Sequence, residues 1–207
     1  MKAFFAILCA SVMVLGIVAS ADAVLIDFED GTPDTAIDGF YSGLGVTFSN
    51  AQWLPSYLGN SLPADAGAIV IGDIFDESGN PRFNPSPSNP IVGTFGSPQH
   101  TVSITGIDVG GDGVALAAYD ALAGGNLVAY EEFIGAEAGV GTFALLAVSD
   151  SNILRFELFQ PLSVVPSNGD GVVWDNLEFN AVPEPSTILL LGFGLAGVGL
   201  FRRKITK

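Results

Sequence analysis

Apolar and polar residues alternate along 102–106, where Val102, Ile104 and Gly106 are set against Ser103 and Thr105. They alternate again along 154–158, where Leu154, Phe156 and Leu158 are set against Arg155 and Glu157. A period of two belongs to a strand with one face on a core, and it predicts that Arg155 and Glu157 face solvent. Short alternating or continuous apolar runs recur, punctuated by Gly, Pro, Asn and Asp, and helical periodicity is scarce. The pattern predicts strands at 24–28, 46–49, 68–71, 91–95, 101–109, 114–119, 127–133, 142–146, 153–159 and 172–179. The stretch from Asp120 to Asn126 holds Gly124 and Gly125 and reads as a hairpin connection. Residues 80–90 carry prolines at 81, 85, 87 and 90 and read as a surface loop, since strand patterns resume directly afterwards. So many short strands in one domain predict an all-β fold, a two-sheet β-sandwich or jelly roll, over residues 24–181. No fixed-period repeat emerges, which argues against a propeller or solenoid.

The two ends break this pattern. Met1 and Lys2 lead into an uncharged apolar run, 3–18, and then Ser20-Ala21-Asp22-Ala23. A positive start, a short apolar stretch and an A-x-A site make residues 1–23 a secretory signal peptide, cut after Ala23. The only cysteine, Cys9, lies within that segment, so the exported domain would hold together without disulfides. At the other end Val182-Pro183-Glu184-Pro185-Ser186 precedes an uncharged run, 187–201, and then Arg202, Arg203 and Lys204. Two prolines around Glu184 favour an extended segment open to a processing enzyme. A helix over 187–201 would be about 23 Å long at about 1.5 Å per residue, short against a hydrocarbon core of about 30 Å. The basic cluster would stop it on the cytoplasmic side and leave the domain outside.

Charge sharpens the picture once the ends are set aside. The chain has 22 acidic and 7 basic residues. Without Asp22, Glu184, Lys2, Arg202, Arg203, Lys204 and Lys207, 20 acidic residues and two basic ones, Arg82 and Arg155, remain, a net −18. Such a field repels nucleic acid and anionic lipid and favours cations.

The order Val-Pro-Glu-Pro-Ser, short Gly-containing apolar helix and terminal Arg-Arg-Lys resembles the PEP-CTERM sorting signal of Gram-negative bacteria. The resemblance covers 182–207. It implies export across the inner membrane, a transient membrane hold, and recognition of Pro183, Glu184 and Pro185 by an exosortase-type membrane protease. It also implies an association with exopolysaccharide and biofilm. The domain, through Ile26-Asp27-Phe28-Glu29-Asp30-Gly31, Gly45-Val46-Thr47-Phe48, 114–120 and Trp174-Asp175-Asn176-Leu177-Glu178-Phe179, resembles the β-sandwich ectodomains that precede such tails. That likeness suggests a galactose-binding-like jelly roll.

Candidate chemistry is sparse. Jelly rolls of that type often hold a structural calcium where first and last strands meet. Glu29 and Asp30 with Asp175 and Asn176 could supply the hard oxygen ligands it requires. The competing reading makes Asp30-Gly31 a turn and Asp175-Asn176 a strand-edge cap. His100 is the only histidine, and no G-x-S-x-G, H-E-x-x-H or Cys/His pair occurs. An enzyme is therefore not expected; a carboxylate pair for glycoside hydrolysis is available by chance among so many acids. For a sugar ligand, Trp53 and Tyr57 could offer ring faces to a pyranose, while Trp174 alternates with apolar neighbours and reads as core. The expected function is a structural or adhesive one at the cell surface or in the matrix. A carbohydrate-binding module is the alternative and a secreted hydrolase the second alternative.

Overall fold

The computed structural model describes residues 23–33, 35–53, 69–71, 85–135, 142–162 and 172–181. They form nine strands: β1 (Ala23–Ile26), β2 (Val46–Ser49), β3 (Ala51–Trp53), β4 (Ile69–Ile71), β5 (Ile91–Ile107), β6 (Val114–Tyr119), β7 (Leu127–Phe133), β8 (Phe143–Phe159) and β9 (Val173–Ala181). A 3-10 turn, Phe40–Leu44, precedes β2 and ends on Gly45, whose φ of 92° suits glycine alone among common residues. Among the described residues no helix is long and apolar enough to cross a membrane. The signal peptide and the 187–201 helix lie outside the described residues.

Every pairing is antiparallel, along the path β3-β4-β9-β5-β8-β6-β7, with β1 on β9 and β2 on β5. The all-β expectation holds, and β2, β6 and β7 have the limits the pattern predicts. The predicted pairs 91–95 with 101–109 and 142–146 with 153–159 are instead two continuous strands, β5 and β8. Each passes from one partner set to another. The front of β5 joins β2 and the back of β8, while the back of β5 joins the front of β8 and β9. The joint is a pair of register shifts between Thr94 and Thr101. Extra residues there switch which parity points inward: Ile91, Gly93 and Phe95 are buried before it, Val102, Ile104 and Gly106 after it. The arrangement is consistent with a two-sheet sandwich.

One core joins both halves. Phe95 of β5 meets Phe156 of β8 at 5.4 Å and Phe179 of β9 at 5.0 Å between ring centroids. Phe48, Phe28 and Tyr41 extend the cluster edge to face. Burying a side chain of this size contributes about 1.5–3 kcal/mol. Phe28 holds a φ of 56°, in the left-handed region where a bulky residue is strained, and its buried ring fixes it there.

The hairpin expected at Asp120 to Asn126 is present. Its ends join through Asp120 N–H to the Asn126 carbonyl at 3.2 Å, and Asn126 N–H donates to Asp120 Oδ1 at 2.7 Å. Gly124 and Gly125, at φ 63° and 85°, make the turn. Of the proline-rich loop, residues 85–90 are described and fold into a turn closed by the Ser86–Asn89 bridge.

Candidate functional site

Phe156 and Leu158 of β8 and Leu116 and Ala118 of β6 point into the core. Their strand neighbours therefore point the other way, and the register decides which of them meet. Arg155 stands opposite Tyr119, Glu157 opposite Ala117 and Phe159 opposite Ala115. One strand further, Ala117 faces Tyr130 and Ala115 faces Glu132. The outer side of β8, β6 and β7 is thus a band of rings, carboxylates and one guanidinium, with two alanines in the middle.

The small alanines let the larger side chains close over β6. Tyr130 and Phe159, from the strands on either side of it, bring their ring centroids to 6.5 Å with planes 32° apart. Tyr130 remains 44% exposed, so this shelf meets solvent. Its hydroxyl donates to Glu132 Oε2 at 2.5 Å. Burial, then that hydrogen bond and charge, push the Tyr130 hydroxyl up to about 12, so it is a neutral donor at ordinary pH.

Beside the shelf stands a second group. The Arg155 guanidinium lies 4.0 Å over the Tyr119 ring and pairs with Glu157 through Nη1. Its Nη2 donates to the Gly124 carbonyl at 2.8 Å, tying the hairpin turn to β8. Tyr119 donates to the other Glu157 oxygen at 3.0 Å. Burial, then Glu157, raise the Tyr119 hydroxyl's pKa, and Arg155 opposes the shift. Arg155 and Glu157 do occupy the outer side, as their alternation predicts, but their side chains are only 12% and 15% exposed. The expectation of freely solvated charges is corrected accordingly: stacking and mutual pairing cover them.

The residues singled out from the sequence are placed differently. Trp53 is not an open ring platform. It is 5% exposed, donates from Nε1 to the Phe28 carbonyl at 3.1 Å, and meets Phe40 at 4.9 Å. A Cβ on Gly31 would fall 1.7 Å from its indole, so only glycine lets that turn lie on the ring. Tyr57 lies outside the described residues. Trp174 is fully buried, as its alternation predicts.

The β1–β9 register pairs Ile26 with Leu177, which brings the Glu29–Asp30 and Asp175–Asn176 segments to one end of that ladder. Two of these carboxylates accept hydrogen bonds from neighbouring groups. Asp30 Oδ1 accepts from Tyr41 Oη at 2.5 Å, while Asp175 accepts from the backbone and side-chain N–H groups of Asn176. Burial first, then Asp30, push the Tyr41 hydroxyl well above its ordinary value. No group of three or more His, Cys, Asp or Glu side chains gathers as a metal site among the described residues. His100 is exposed, with Nδ1 3.0 Å from the Asp150 carbonyl.

Pro183, Glu184, Pro185, Arg202, Arg203 and Lys204 lie outside the described residues, and comparison with known families speaks to them directly. Residues 181–204 match the PEP-CTERM protein-sorting motif, so the chain carries this sorting signal from the final residue of the last described strand. No curated protein matches the chain. Among solved structures, the family 11 carbohydrate-binding module from Clostridium thermocellum, in complex with a beta-1,3-1,4-mixed-linked tetrasaccharide, is similar at 9% identity. The likeness covers 80% of this chain and 99% of that one, with a TM-score of 0.37, too low to carry an argument about fold or ligand.

Proposed function

We propose that the chain is an exported protein, sorted by an exosortase-type membrane protease to the cell surface or extracellular matrix of a Gram-negative bacterium. There its β-sandwich serves a structural or adhesive role in exopolysaccharide. The observation that carries this reading is the sorting motif at 181–204, which begins on the final residue of β9. Pro183, Glu184 and Pro185 act as substrate residues for the protease, and Arg202, Arg203 and Lys204 as the membrane stop. The net −18 of the domain suits a partner other than nucleic acid.

A second reading, a carbohydrate-binding module, is favoured by the Tyr130–Phe159 shelf flanked by carboxylates. It supplies a means of adhesion and is compatible with the first. A role without catalysis fits both. A structural calcium held by Glu29, Asp30, Asp175 and Asn176 stands as a separate proposal, since the hydrogen bonds that Asp30 and Asp175 accept leave further carboxylate acceptor sites; a melting temperature unchanged by added calcium would remove it.

Cell fractionation with a Pro183→Ala, Glu184→Ala, Pro185→Ala triple variant tests the sorting reading. The variant is expected to accumulate in the membrane fraction while the native chain reaches the surface or medium. Equal distribution of the two would count against it.

A further inference from the structure

We infer that the outer face of β8, β6 and β7 is a binding site for a neutral glycan chain, which lies on the Tyr130–Phe159 shelf beside the Glu157–Arg155 pair. The inference rests on the carbohydrate-binding reading and gives it a location.

Three observations select the ligand. The first is the shelf itself. Ala115 and Ala117 are fully buried beneath the rings of Tyr130 and Phe159, which sit 6.5 Å apart and 32° from coplanar, with Tyr130 well exposed. Two gently tilted rings side by side suit the C–H face of a pyranose, which is apolar while its rim carries hydroxyls.

The second is the hydrogen-bonding sense of the rim. Each Glu157 oxygen takes one donor, from Arg155 and from Tyr119, and Glu132 Oε2 takes the Tyr130 hydroxyl. An ionised carboxylate has about four acceptor sites. Acceptor sites on Glu157 and Glu132 remain beyond those taken and are already held in place, and sugar hydroxyls can donate to them.

The third is charge. The face carries two carboxylates, Glu157 and Glu132, and one guanidinium, Arg155, whose Nη1 and Nη2 are already engaged, within a domain of net −18. Uronate, sulfate or phosphate groups on the ligand would be repelled. An apolar protein surface would have to desolvate Glu132 and Glu157 without replacing their hydrogen bonds.

The test is affinity electrophoresis and calorimetry of the exported chain. The probes are soluble neutral glucans (a mixed-linkage glucan, laminarin and hydroxyethyl cellulose), polygalacturonate as the anionic probe and polylysine as the cationic one. The native chain is expected to bind at least one neutral glucan. Tyr130→Ala weakens it about tenfold or more and Tyr130→Phe weakens it less, because the ring remains. Leu25→Ala, at an exposed site on β1, leaves it unchanged, and melting curves confirm that each variant folds. Neutral-glucan binding unaffected by Tyr130→Ala would overturn the site while sparing the carbohydrate-binding reading. Binding to none of the probes would overturn both. Binding confined to polygalacturonate or polylysine would overturn the assignment of a neutral ligand.

Discussion

Gly93 stands directly opposite Phe156 in the β5–β8 ladder, and a Cβ added to Gly93 would lie 2.1 Å from the phenyl ring. The ring occupies the space that any side chain at 93 would need, and in the same place it touches Phe95 and Phe48. Gly93→Ala must therefore displace a ring shared by three strands. Overpacking of this kind costs about 1–3 kcal/mol, and denaturant unfolding is expected to show stability reduced by about that much, through a lowered midpoint. An unchanged midpoint would mean that the core yields more easily than these contacts imply.

Trp53 supplies a second check on the core. With its indole against Gly31, Phe40 and Tyr41 and its N–H on the Phe28 carbonyl, Trp53→Ala is expected to destabilise by about 3–5 kcal/mol. Below the melting temperature it should leave glycan binding intact. Loss of binding in a folded Trp53→Ala protein would move the site away from β6 and β7.

Alkaline titration probes the shelf. Tyr130 has a folded-state pKa raised to about 12, against an ordinary value of about 10. The raised value means that its contribution to stability is fully present below about pH 10 and is lost as pH rises towards about 12. Phenolate difference absorbance of the native chain minus Tyr130→Phe should show this late ionisation. A Tyr130 step near pH 10 would indicate that neither the ring's burial nor the Glu132 hydrogen bond holds the phenol neutral.

Asp120 gives the opposite slope. Hydrogen bonds from the Asn126 side chain and backbone lower its pKa below the ordinary 3.8. Its contribution is present above that value and is lost as pH falls through the folded-state pKa. Thermal melts of Asp120→Ala in acid should show a shallower decline than the native chain, converging with it at the lowest pH. Parallel curves would remove Asp120 as a clamp on the hairpin.

The strands with simple boundaries were legible from the sequence, and the bends were not. Val46–Ser49 and Leu127–Phe133 are flanked by turn residues, so pattern and structure coincide. Gly96-Ser97-Pro98 and Asp150-Ser151-Asn152 have the chemistry of turns, yet here they lie in bulged, continuous strands held by partners far along the chain. β3, with three residues, offers too short a period to detect. The candidate site was hidden for a related reason. Tyr119 and Arg155, like Tyr130 and Phe159, are separated in sequence and meet only through register. One signal was available: Arg155 is one of two basic residues in a strongly acidic domain and shares a strand face with Glu157. Trp53 misled because the Pro, Ser and Asn residues after it resemble an exposed loop, while the aromatic contacts that bury it come from Phe40 and Tyr41.

The most direct test of the account is mass spectrometry of the C-terminus of the mature protein recovered from the cell surface or medium. The account predicts a chain that ends near Pro183 to Pro185, next to the last residue of β9, and lacks the apolar run 187–201. Recovery of the chain intact through Lys207 would contradict processing at the sorting motif.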